Sequence, residues 1–394
     1  MLKSRLVFLI LLAIGSVLLT AVSYRVPPML QETPAGRLLP TGSLGEPRAD
    51  HTATLLPDGH VLIAGGMVEN GVFLDTMELY DPKTGTFRSA GTMSSKRVGH
   101  TATLLPNGKV LLTGGMADRS FEGGLHGINS SATDLYDPKN GKVTPAGNMI
   151  VAREAHEAVL LPNGKVLLIG GYDGRHYLDS VEIFDPCTRT FAKAGKLTQP
   201  RSGAVAVLLP RDGTDGGKVL ILGGASGETE RDRIVLGSAE LFDPNNGTSV
   251  RVGDMSTRRY KHAATLLADG RVLITGGSDD RDWGNMYDTA EIYDPATHRF
   301  TPTSKMLSKR FKLPHATVLL KNGKVLVAGG SNVVEVFDST QKKFLPVNGK
   351  LSEPSYYGTA TLLKDGKVLI VGGYGQGSAA HGPLSARQAF LYEP

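Results

Sequence analysis

Arginine and histidine recur three residues apart along this chain, and they form its most regular set of side chains with chemical potential. Complete pairs are Arg48/His51, Arg97/His100, Arg153/His156 and Arg259/His262; Arg201 lacks the histidine, and His315 follows Arg310 after a two-residue insertion. Guanidinium groups bind carboxylate, sulfate and phosphate through charge-assisted hydrogen bonds. If these side chains converge, they form a positively charged ring that attracts an anionic ligand.

This recurrence supports two interpretations. The binding interpretation predicts these ligand-binding residues: Arg97, His100, Arg153, His156, Arg201, Arg259, His262 and His315. The structural interpretation holds that each pair hydrogen-bonds backbone in a neighbouring repeat, and repetition itself favours it. Because repeated charges are only probabilistic markers of a site, both interpretations stay open.

Two glutamates next to one of the histidines suggest a catalytic alternative. Glu154 and Glu157 flank His156, and a carboxylate beside an imidazole suits proton abstraction. The competing interpretation is a surface salt-bridge patch of little energetic value. We therefore assign no catalytic residue, and keep Glu154, His156 and Glu157 as the candidates if the protein is an enzyme.

The sequence predicts no metal site and no cofactor. Zinc requires ligands that converge to about 2.0–2.1 Å from one ion, and the chain has no His-x-His or Cys-x-x-Cys motif. Asp279, Asp280 and Asp282 lie close together, but the segment lacks the glycine and the distal glutamate of a calcium loop. We expect a solvated loop there.

The elements that must position these residues are defined by seven Gly-Gly pairs. The pairs are Gly65-Gly66, Gly114-Gly115, Gly170-Gly171, Gly223-Gly224, Gly276-Gly277, Gly329-Gly330 and Gly372-Gly373. Each ends a short apolar run that follows a turn such as Pro106-Asn107-Gly108, and Asn-Gly favours a tight antiparallel hairpin. A Leu-Tyr-Asp-Pro run and a short final run complete the unit. The pattern predicts four strands per repeat, a to d, and most repeats are about fifty residues apart.

The combination of Gly-Gly, Arg-x-x-His and Tyr-Asp-Pro resembles the kelch family, including exported bacterial kelch proteins and the central domain of the galactose-oxidase group. The resemblance covers residues 36–394. It implies an all-β, seven-bladed β-propeller of four-stranded antiparallel blades. The chain ends at Leu391-Tyr392-Glu393-Pro394, which matches strand c, so residues 36–44 are predicted to supply strand d of the last blade.

The galactose-oxidase resemblance also implies a copper chemistry, which depends on a Tyr–Cys crosslink at the channel end. Cys187 is the only cysteine, and it falls on a c-to-d turn at the opposite end. Tyr356 and Tyr357 begin the last strand a, but no cysteine adjoins them. We therefore do not expect a copper radical oxidase.

The N-terminal sequence and the net charge indicate the cellular location of the protein and the class of partner that it binds. Lys3 and Arg5 precede the uncharged run 6–23, so residues 1–25 are predicted to be a cleaved signal peptide or a retained membrane anchor, followed by a linker at 26–35. The propeller should then be periplasmic or extracellular, possibly tethered to the inner membrane. The formal net charge is +5, two of it from Lys3 and Arg5, and this weak basicity argues against a nucleic-acid partner.

The connections between strands differ in a way that predicts the working surface. The a-to-b turns are nearly invariant, whereas the b-to-c loops 116–133, 225–239 and 374–389 are long and unlike one another. Function usually lies on variable loops of a constant scaffold. We predict a binding or scaffolding module for a protein or an acidic glycan. The alternative is a sugar epimerase, mutarotase or lyase at the same mouth.

Overall fold

The computed structural model describes residues 33–69, 72–120, 126–375 and 384–394. Most of the predicted targeting segment and linker (residues 1–35) therefore lies outside the described residues, and both stay predictions. Within the described ranges, no helix is long and apolar enough to cross a membrane. The described chain is a single compact unit of β-strands from residue 33 onward, apart from two short 3₁₀ turns at Glu230–Asp232 and Asp282–Gly284.

Seven four-stranded antiparallel sheets form the blades of a propeller, and this confirms the predicted fold. In the order a, b, c, d, blade 1 contains Thr52–Leu55, Val61–Ala64, Thr76–Asp81 and Thr86–Thr92; blade 2 contains Thr101–Leu104, Val110–Thr113, Ala132–Asp137 and Lys142–Asn148; blade 3 contains Glu157–Leu160, Val166–Ile169, Ser180–Asp185 and Thr190–Lys196; and blade 4 contains Val205–Leu208, Val219–Leu222, Ser238–Asp243 and Thr248–Asp254.

The remaining blades follow the same order. Blade 5 contains Ala263–Leu266, Val272–Thr275, Ala290–Asp294 and Arg299–Pro302; blade 6 contains Thr317–Leu319, Val325–Val327, Glu335–Asp338 and Lys343–Pro346; and blade 7 contains Thr359–Leu362, Val368–Val371, Ala389–Glu393 and Arg37–Pro40. Each strand a contacts the strand a of the next blade, from blade 1 round to blade 7 and back to blade 1. The a strands therefore surround the central channel.

The N-terminal strand closes the ring, as predicted. Arg37–Pro40 pairs antiparallel with Ala389–Glu393, with Arg37 opposite Glu393 and Pro40 opposite Phe390. This pairing covers the edge of the last blade, which would otherwise expose unpaired backbone groups.

The core lies between the blades. Strand b is buried along its whole length in every blade, because each of its faces packs on a neighbouring blade. Between blades 1 and 2, for example, Leu62 and Ala64 join Val110 and Leu112 in one apolar cluster.

The Gly-Gly pairs let adjacent blades approach closely. The Gly66 N–H donates to the carbonyl of Arg97 in the next blade at 2.8 Å, and the same bond recurs in all seven blades. A Cβ on Gly114 would lie 2.4 Å from the carbonyl oxygen of Arg153, and its φ of +64° also favours glycine. The pairs are therefore the points where successive blades join.

The b-to-c loops add secondary structure of their own. Within the described parts of these loops, three small hairpins are present, which pair Met67–Glu69 with Val72–Phe73, Met116–Ser120 with His126–Asn129, and Ala225–Ser226 with Ile234–Val235. In blade 6, Gly330 is followed almost directly by strand c. One end of the propeller is thus irregular, and the other carries short turns.

Candidate functional site

The channel opens at the irregular end into a cavity of about 350 Å³, which we call the mouth cavity. Met67, Phe73 and Trp283 reach it from b-to-c loops, and Lys261 and Lys312 reach it from d-to-a connections. The two kinds of connection therefore share one face, as the antiparallel strand order requires. We call this face the mouth face.

One residue from each blade forms a ring around the channel, at the third position of the Arg-x-x-His motif or its equivalent. We call these residues the mouth ring: Asp50, Gly99, Ala155, Gly203, Lys261, Lys312 and Tyr357, all with φ between +47° and +63°. Backbone N–H groups connect the ring, with Gly203 donating to Ala155 at 2.8 Å, Lys312 to Lys261 at 2.8 Å and Tyr357 to Lys312 at 2.7 Å.

The left-handed backbone of the ring has an energetic cost. An L-residue in this conformation costs roughly 1–2 kcal/mol, and five of the seven ring residues are not glycine. The hydrogen bonds around the ring hold them there. Several ring side chains, including those of Asp50, Lys261 and Tyr357, line both the mouth cavity and the channel beneath it.

Lys312 occupies an aromatic enclosure in this ring. Its Nζ lies 4.2 Å from the ring centroid of Trp283, 5.3 Å from that of Tyr374 and 5.7 Å from that of Tyr357. It also donates a hydrogen bond to the Tyr374 hydroxyl at 2.6 Å. Aromatic faces attract a cation. Lys312 is nevertheless only 6% exposed, and this burial disfavours the protonated form of its amine.

The charged groups at the mouth are few and closely spaced. Lys261 pairs with Asp282, with 3.0 Å between Nζ and Oδ1. Burial raises the pKa of Asp50 to about 6, although Lys261 and Lys312 oppose this shift. Burial and the repulsion of Lys261 lower the pKa of Lys312 to about 7. Both Asp50 and Lys312 therefore titrate near neutral pH.

The motif arginines do not line this cavity. Each is buried and pairs with a carboxylate on strand c of its own blade: Arg48 with Glu78, Arg97 with Asp134, Arg153 with Glu182, Arg201 with Glu240, Arg259 with Glu291 and Arg310 with Glu335. We call these six pairs the arginine layer.

Arg153 shows the geometry of the layer. Its Nη1 donates to the Gly170 carbonyl at 2.6 Å and its Nη2 to Glu182 at 2.6 Å. Glu182 also accepts the N–H groups of Ile150 and Val151, which belong to the connection from blade 2. The layer fastens each interblade connection to the next blade.

These contacts support the structural interpretation of the arginines, with one change. The guanidinium groups bond backbone within their own blade, whereas the sequence argument placed those bonds in a neighbouring repeat. Arg97, Arg153, Arg201 and Arg259 do not converge on the mouth, so the geometry gives no support to their predicted ligand-binding role, which stays a prediction.

The motif histidines bridge to the preceding blade. Nε2 of His51 lies 3.0 Å from the Thr359 hydroxyl, that of His100 lies 3.2 Å from Thr52, and that of His156 lies 3.1 Å from Thr101. His262 has neither ring nitrogen bonded within the described structure, because the corresponding residue of blade 4 is Val205.

The structure brings His51, His100, His156 and His315 together around a channel cavity of about 80 Å³ below the mouth. Burial lowers the pKa of every one of them, to about 3 for His100, and also that of His262 to about 3. They are therefore neutral imidazoles at physiological pH. As neutral groups, they do not supply the positive charge that the predicted anion site requires.

The three residues of the catalytic alternative are split between two cavities. Glu154 lines the mouth cavity, whereas His156 and Glu157 line the channel. Burial raises the pKa of Glu157 to about 8, and the Ala206 N–H bonds its carboxylate. The Nδ1 of His156 has no partner among the described residues, and its Nε2 is held by threonine hydroxyls. No carboxylate therefore activates this imidazole in the described structure.

Comparison with known proteins now adds to this geometry. A family model described as the KLHDC2/KLHL20/DRC7 Kelch-repeats domain matches residues 31–224 and 99–330. The chain belongs to the kelch-repeat family. Propellers of this family generally act as protein-binding scaffolds.

The curated kelch relatives are distant. Alpha-scruin of Limulus polyphemus is 25% identical over 232 residues, which are 56% of this chain and 23% of that protein. Kelch-like protein 35 of Mus musculus is 24% identical over 230 residues, 58% of this chain and 36% of that protein. The matches thus span about a quarter to a third of the relatives' length.

A solved structure is similar over most of the kelch propeller. It is described as a novel fungal alcohol oxidase with catalytic diversity among the AA5 family, in complex with copper, and it aligns with a TM-score of 0.70 and 19% identity. The alignment covers 91% of this chain and 76% of that chain. At this identity, the likeness shows the fold alone.

The residues of this kelch propeller do not fit a copper centre of that kind. Cys187 is exposed in the turn between strands c and d of blade 3, at the end opposite the mouth. Among the described residues, no three His, Cys, Asp or Glu side chains converge in a way that could hold a metal ion.

The aspartates of the blade 5 loop also have separate partners. Asp279 pairs with Arg281, Asp280 accepts the Val235 N–H and Asp282 pairs with Lys261. The loop is therefore held by several unrelated contacts, one of which reaches the mouth ring.

Sequence reasoning missed the mouth ring. Its signal was present in the motif itself, because the position before the histidine changes from Asp50 to Gly99, Ala155 and Lys261 while the arginine is constant. Lys312 was missed because the two-residue insertion of the sixth repeat was placed before the histidine position. Leu313 occupies the histidine position there, and it packs near Gly276 as the histidines pack near theirs.

Proposed function

We propose that this kelch propeller is a binding module that engages a protein partner through its mouth face. The carrying observation is the distribution of exposed large apolar side chains. Of eight such residues in the described chain, seven lie in loops of the mouth face: Val72, Ile128, Ile150, Ile234, Trp283, Leu307 and Leu384. The eighth, Val250, lies on the outer strand of blade 4.

Exposed apolar groups on a single face favour a protein partner for that face. The opposite face carries polar turns such as Asp58-Gly59 and Asn107-Gly108 between strands a and b. An acidic glycan is the weaker candidate partner, because the arginines on which it depended are buried and paired. The sugar enzyme is also less favoured, because Glu154 is separated from His156 and Glu157.

A photo-crosslinking amino acid at Ile128 or Ile234 tests the proposal. These positions are 54% and 47% exposed, and Val250, at 61%, is the matched control on the outer edge. In cells that produce the full chain, we expect discrete crosslinked species from Ile128 and Ile234 that are absent from Val250. Species sensitive to protease indicate a protein partner, whereas equal crosslinking at all three positions contradicts a mouth-face site.

We also propose that the propeller is outside the cytoplasmic membrane, in the periplasm or extracellular space, and possibly tethered to the inner membrane. The support is the charged and then apolar pattern of residues 1–25. Mass spectrometry of the mature N-terminus distinguishes cleavage near Tyr24 from a retained anchor. Recovery of the intact chain from the soluble cytoplasm contradicts both.

A further inference from the structure

Lys312 is a buried primary amine that opens onto the mouth cavity. Its residue is 6% exposed and lines the cavity, and no carboxylate among the described residues lies within ion-pair distance of its Nζ. The nearby Asp282 is committed to Lys261. A buried lysine without an ion-pair partner requires another explanation, since burial of a charge is costly.

The position of the amine is tightly fixed. The Lys312 N–H donates to the Lys261 carbonyl, the Lys312 carbonyl accepts the Tyr357 N–H, and Nζ donates to the Tyr374 hydroxyl at 2.6 Å. The indole of Trp283 covers one side at 4.2 Å. A nucleophile and a proton-transferring hydroxyl within hydrogen-bond reach are the parts that covalent catalysis requires.

The surroundings also keep part of the amine unprotonated. Burial and the repulsion of Lys261 lower the pKa of Lys312 to about 7. They outweigh the attraction of Asp282 and Asp50, which acts in the opposite direction. Burial raises the pKa values of Tyr357 and Tyr374, so both phenols stay protonated at neutral pH.

The cavity beside the amine suits a small molecule with an apolar body. Its walls include Met67, Phe73, Val98, Met116 and Trp283, together with the charged side chains of Asp50, Glu69, Glu154 and Lys261, and its volume of about 350 Å³ is at the lower end of the range for ligand pockets. The apolar side chains can contact the body of a ligand, and the carboxylates disfavour an anion, so this lining favours an uncharged carbonyl compound.

We propose that Lys312 captures an aldehyde with an apolar body as a reversible imine in the mouth cavity. The neutral Nζ attacks the carbonyl carbon, the C–N bond forms as the C=O π bond breaks, and the first nitrogen proton is transferred to the carbonyl oxygen. The Tyr374 hydroxyl relays the second nitrogen proton to that oxygen, which leaves as water when the C=N bond forms. Amine and aldehyde thus give imine and water, with no change in oxidation state.

Reductive trapping on the full chain tests this site. The folded protein is incubated with benzaldehyde and sodium cyanoborohydride at pH 7, digested, and every modified lysine is quantified by mass spectrometry. The internal references are Lys196 and Lys305, whose side chains are 74% and 71% exposed. An exposed lysine has a pKa near 10.4, so only about one in 2,500 is neutral at pH 7. We expect at least tenfold greater modification at Lys312.

Two further readouts separate a bound aldehyde from general reactivity. Modification of Lys312 should saturate with benzaldehyde concentration, and its excess over Lys196 should shrink as the pH rises toward 10, where the references also lose their protons. Linear dependence on concentration, or equal labelling of Lys312 and Lys196 at pH 7, overturns the proposal. This comparison is made within one unmodified chain and needs no variant to fold.

Variants assign the roles. In Lys312→Met the labelling of this peptide should disappear, and in Tyr374→Phe the trapping rate at Lys312 should fall at least threefold while the melting temperature stays within a few degrees. Lys261→Met removes the neighbouring ammonium that helps to lower the pKa of Lys312, so labelling of Lys312 at pH 7 should fall without disappearing. An unchanged trapping rate in Tyr374→Phe overturns the proton relay, and saturable excess labelling that persists on another lysine in Lys312→Met overturns the assignment of the nucleophile.

Discussion

The arginine layer and the mouth ring come from the same tetrapeptide, two residues apart, and have opposite properties. Arg153 is fully buried and hydrogen-bonded to Gly170 and Glu182, while its Nε has no partner among the described residues, and an equivalent arginine–carboxylate pair is present in six blades. Ala155, two residues later, belongs to a ring that contains five residue types and borders the channel and the mouth cavity. Within this chain, the repeated residues join the blades, and the varied residues form the mouth.

The two sets of residues also differ in their contribution to the stability of the fold. The motif arginines are each paired with a carboxylate, whereas Glu157, which is partly buried, and Lys312, which is buried, have surroundings that disfavour their charged forms. A residue that costs stability requires another reason to be present, and perturbed groups of this kind cluster at functional sites. The comparison therefore directs experiments to the mouth and channel.

The largest expected effect tests the arginine layer. Arg153→Met should lower the free energy of unfolding by about 3–5 kcal/mol, because it leaves the Glu182 carboxylate buried without its partner. Chemical denaturation measures the loss. The matched control is Arg251→Met, which breaks an exposed pair with Asp254 and should cost much less. Equal losses of unfolding free energy in the two variants would show that the arginine layer stabilises the protein no more than a surface ion pair does.

The second effect concerns Glu157 and depends on pH. Its folded pKa of about 8 is above its ordinary value, so the folded state binds more protons than the unfolded state between pH 4.5 and 8. Stability from this group is present at low pH and is lost as the pH rises through that window. Glu157→Gln should therefore stabilise the protein by on the order of 2 kcal/mol at pH 9 and have little effect at pH 4.

Thermal melting across this pH range is the measurement for Glu157→Gln. Glu228→Gln, in an exposed loop, is the control and should show no such pH dependence. A Glu157→Gln variant that is destabilised equally at all pH values would show that the carboxylate stabilises the channel wall.

The third prediction concerns the missing hydrogen bond between His262 and blade 4. Val205→Thr should give His262 the hydroxyl partner that the other motif histidines have, and should add about 1 kcal/mol of stability. The gain should vanish in a His262→Leu background, as a double-mutant cycle measures. A gain that persists without the histidine arises from some other contact.

The smallest effect concerns the left-handed backbone of the ring. Ala155 has a φ of +47°, so Ala155→Gly should leave stability unchanged or raise it by up to about 1 kcal/mol. Ala158→Gly, in the extended strand a of the same blade, should instead cost about 0.5–1 kcal/mol. The melting temperatures of the two variants test this prediction. A larger loss of stability in Ala155→Gly than in Ala158→Gly would show that the backbone of the ring is not strained.

The fold was predictable because each repeat contains the sequence motifs that define its own strands and turns. Asn107-Gly108 marks a hairpin, Gly114-Gly115 marks a blade junction, and residues 36–44 match a strand d without belonging to a blade of their own, which predicts the closure. Local turn chemistry and a repeated period are sufficient for these features.

The site was not predictable for the same reason. Repetition drew attention to the Arg97 and His100 positions, whereas the proposed site lies at positions where repetition fails. Whether Arg97 points to the channel or into its own blade depends on Asp134, which is 37 residues away. The enclosure of Lys312 combines Trp283 and Tyr374 from two other loops, and no spacing within one repeat encodes that meeting.

The closing strand has a consequence for the order of folding. Arg37 and Glu393 are separated by 356 residues, although they lie opposite each other in one sheet. At a synthesis rate of about 5–20 residues per second, the strand at 37–40 waits roughly 20–70 s for its partner to be made. Blades 1 to 6 use nearby segments and can form during that interval. The last step is a slow, long-range pairing, and until it occurs both edges can pair with another copy of the chain.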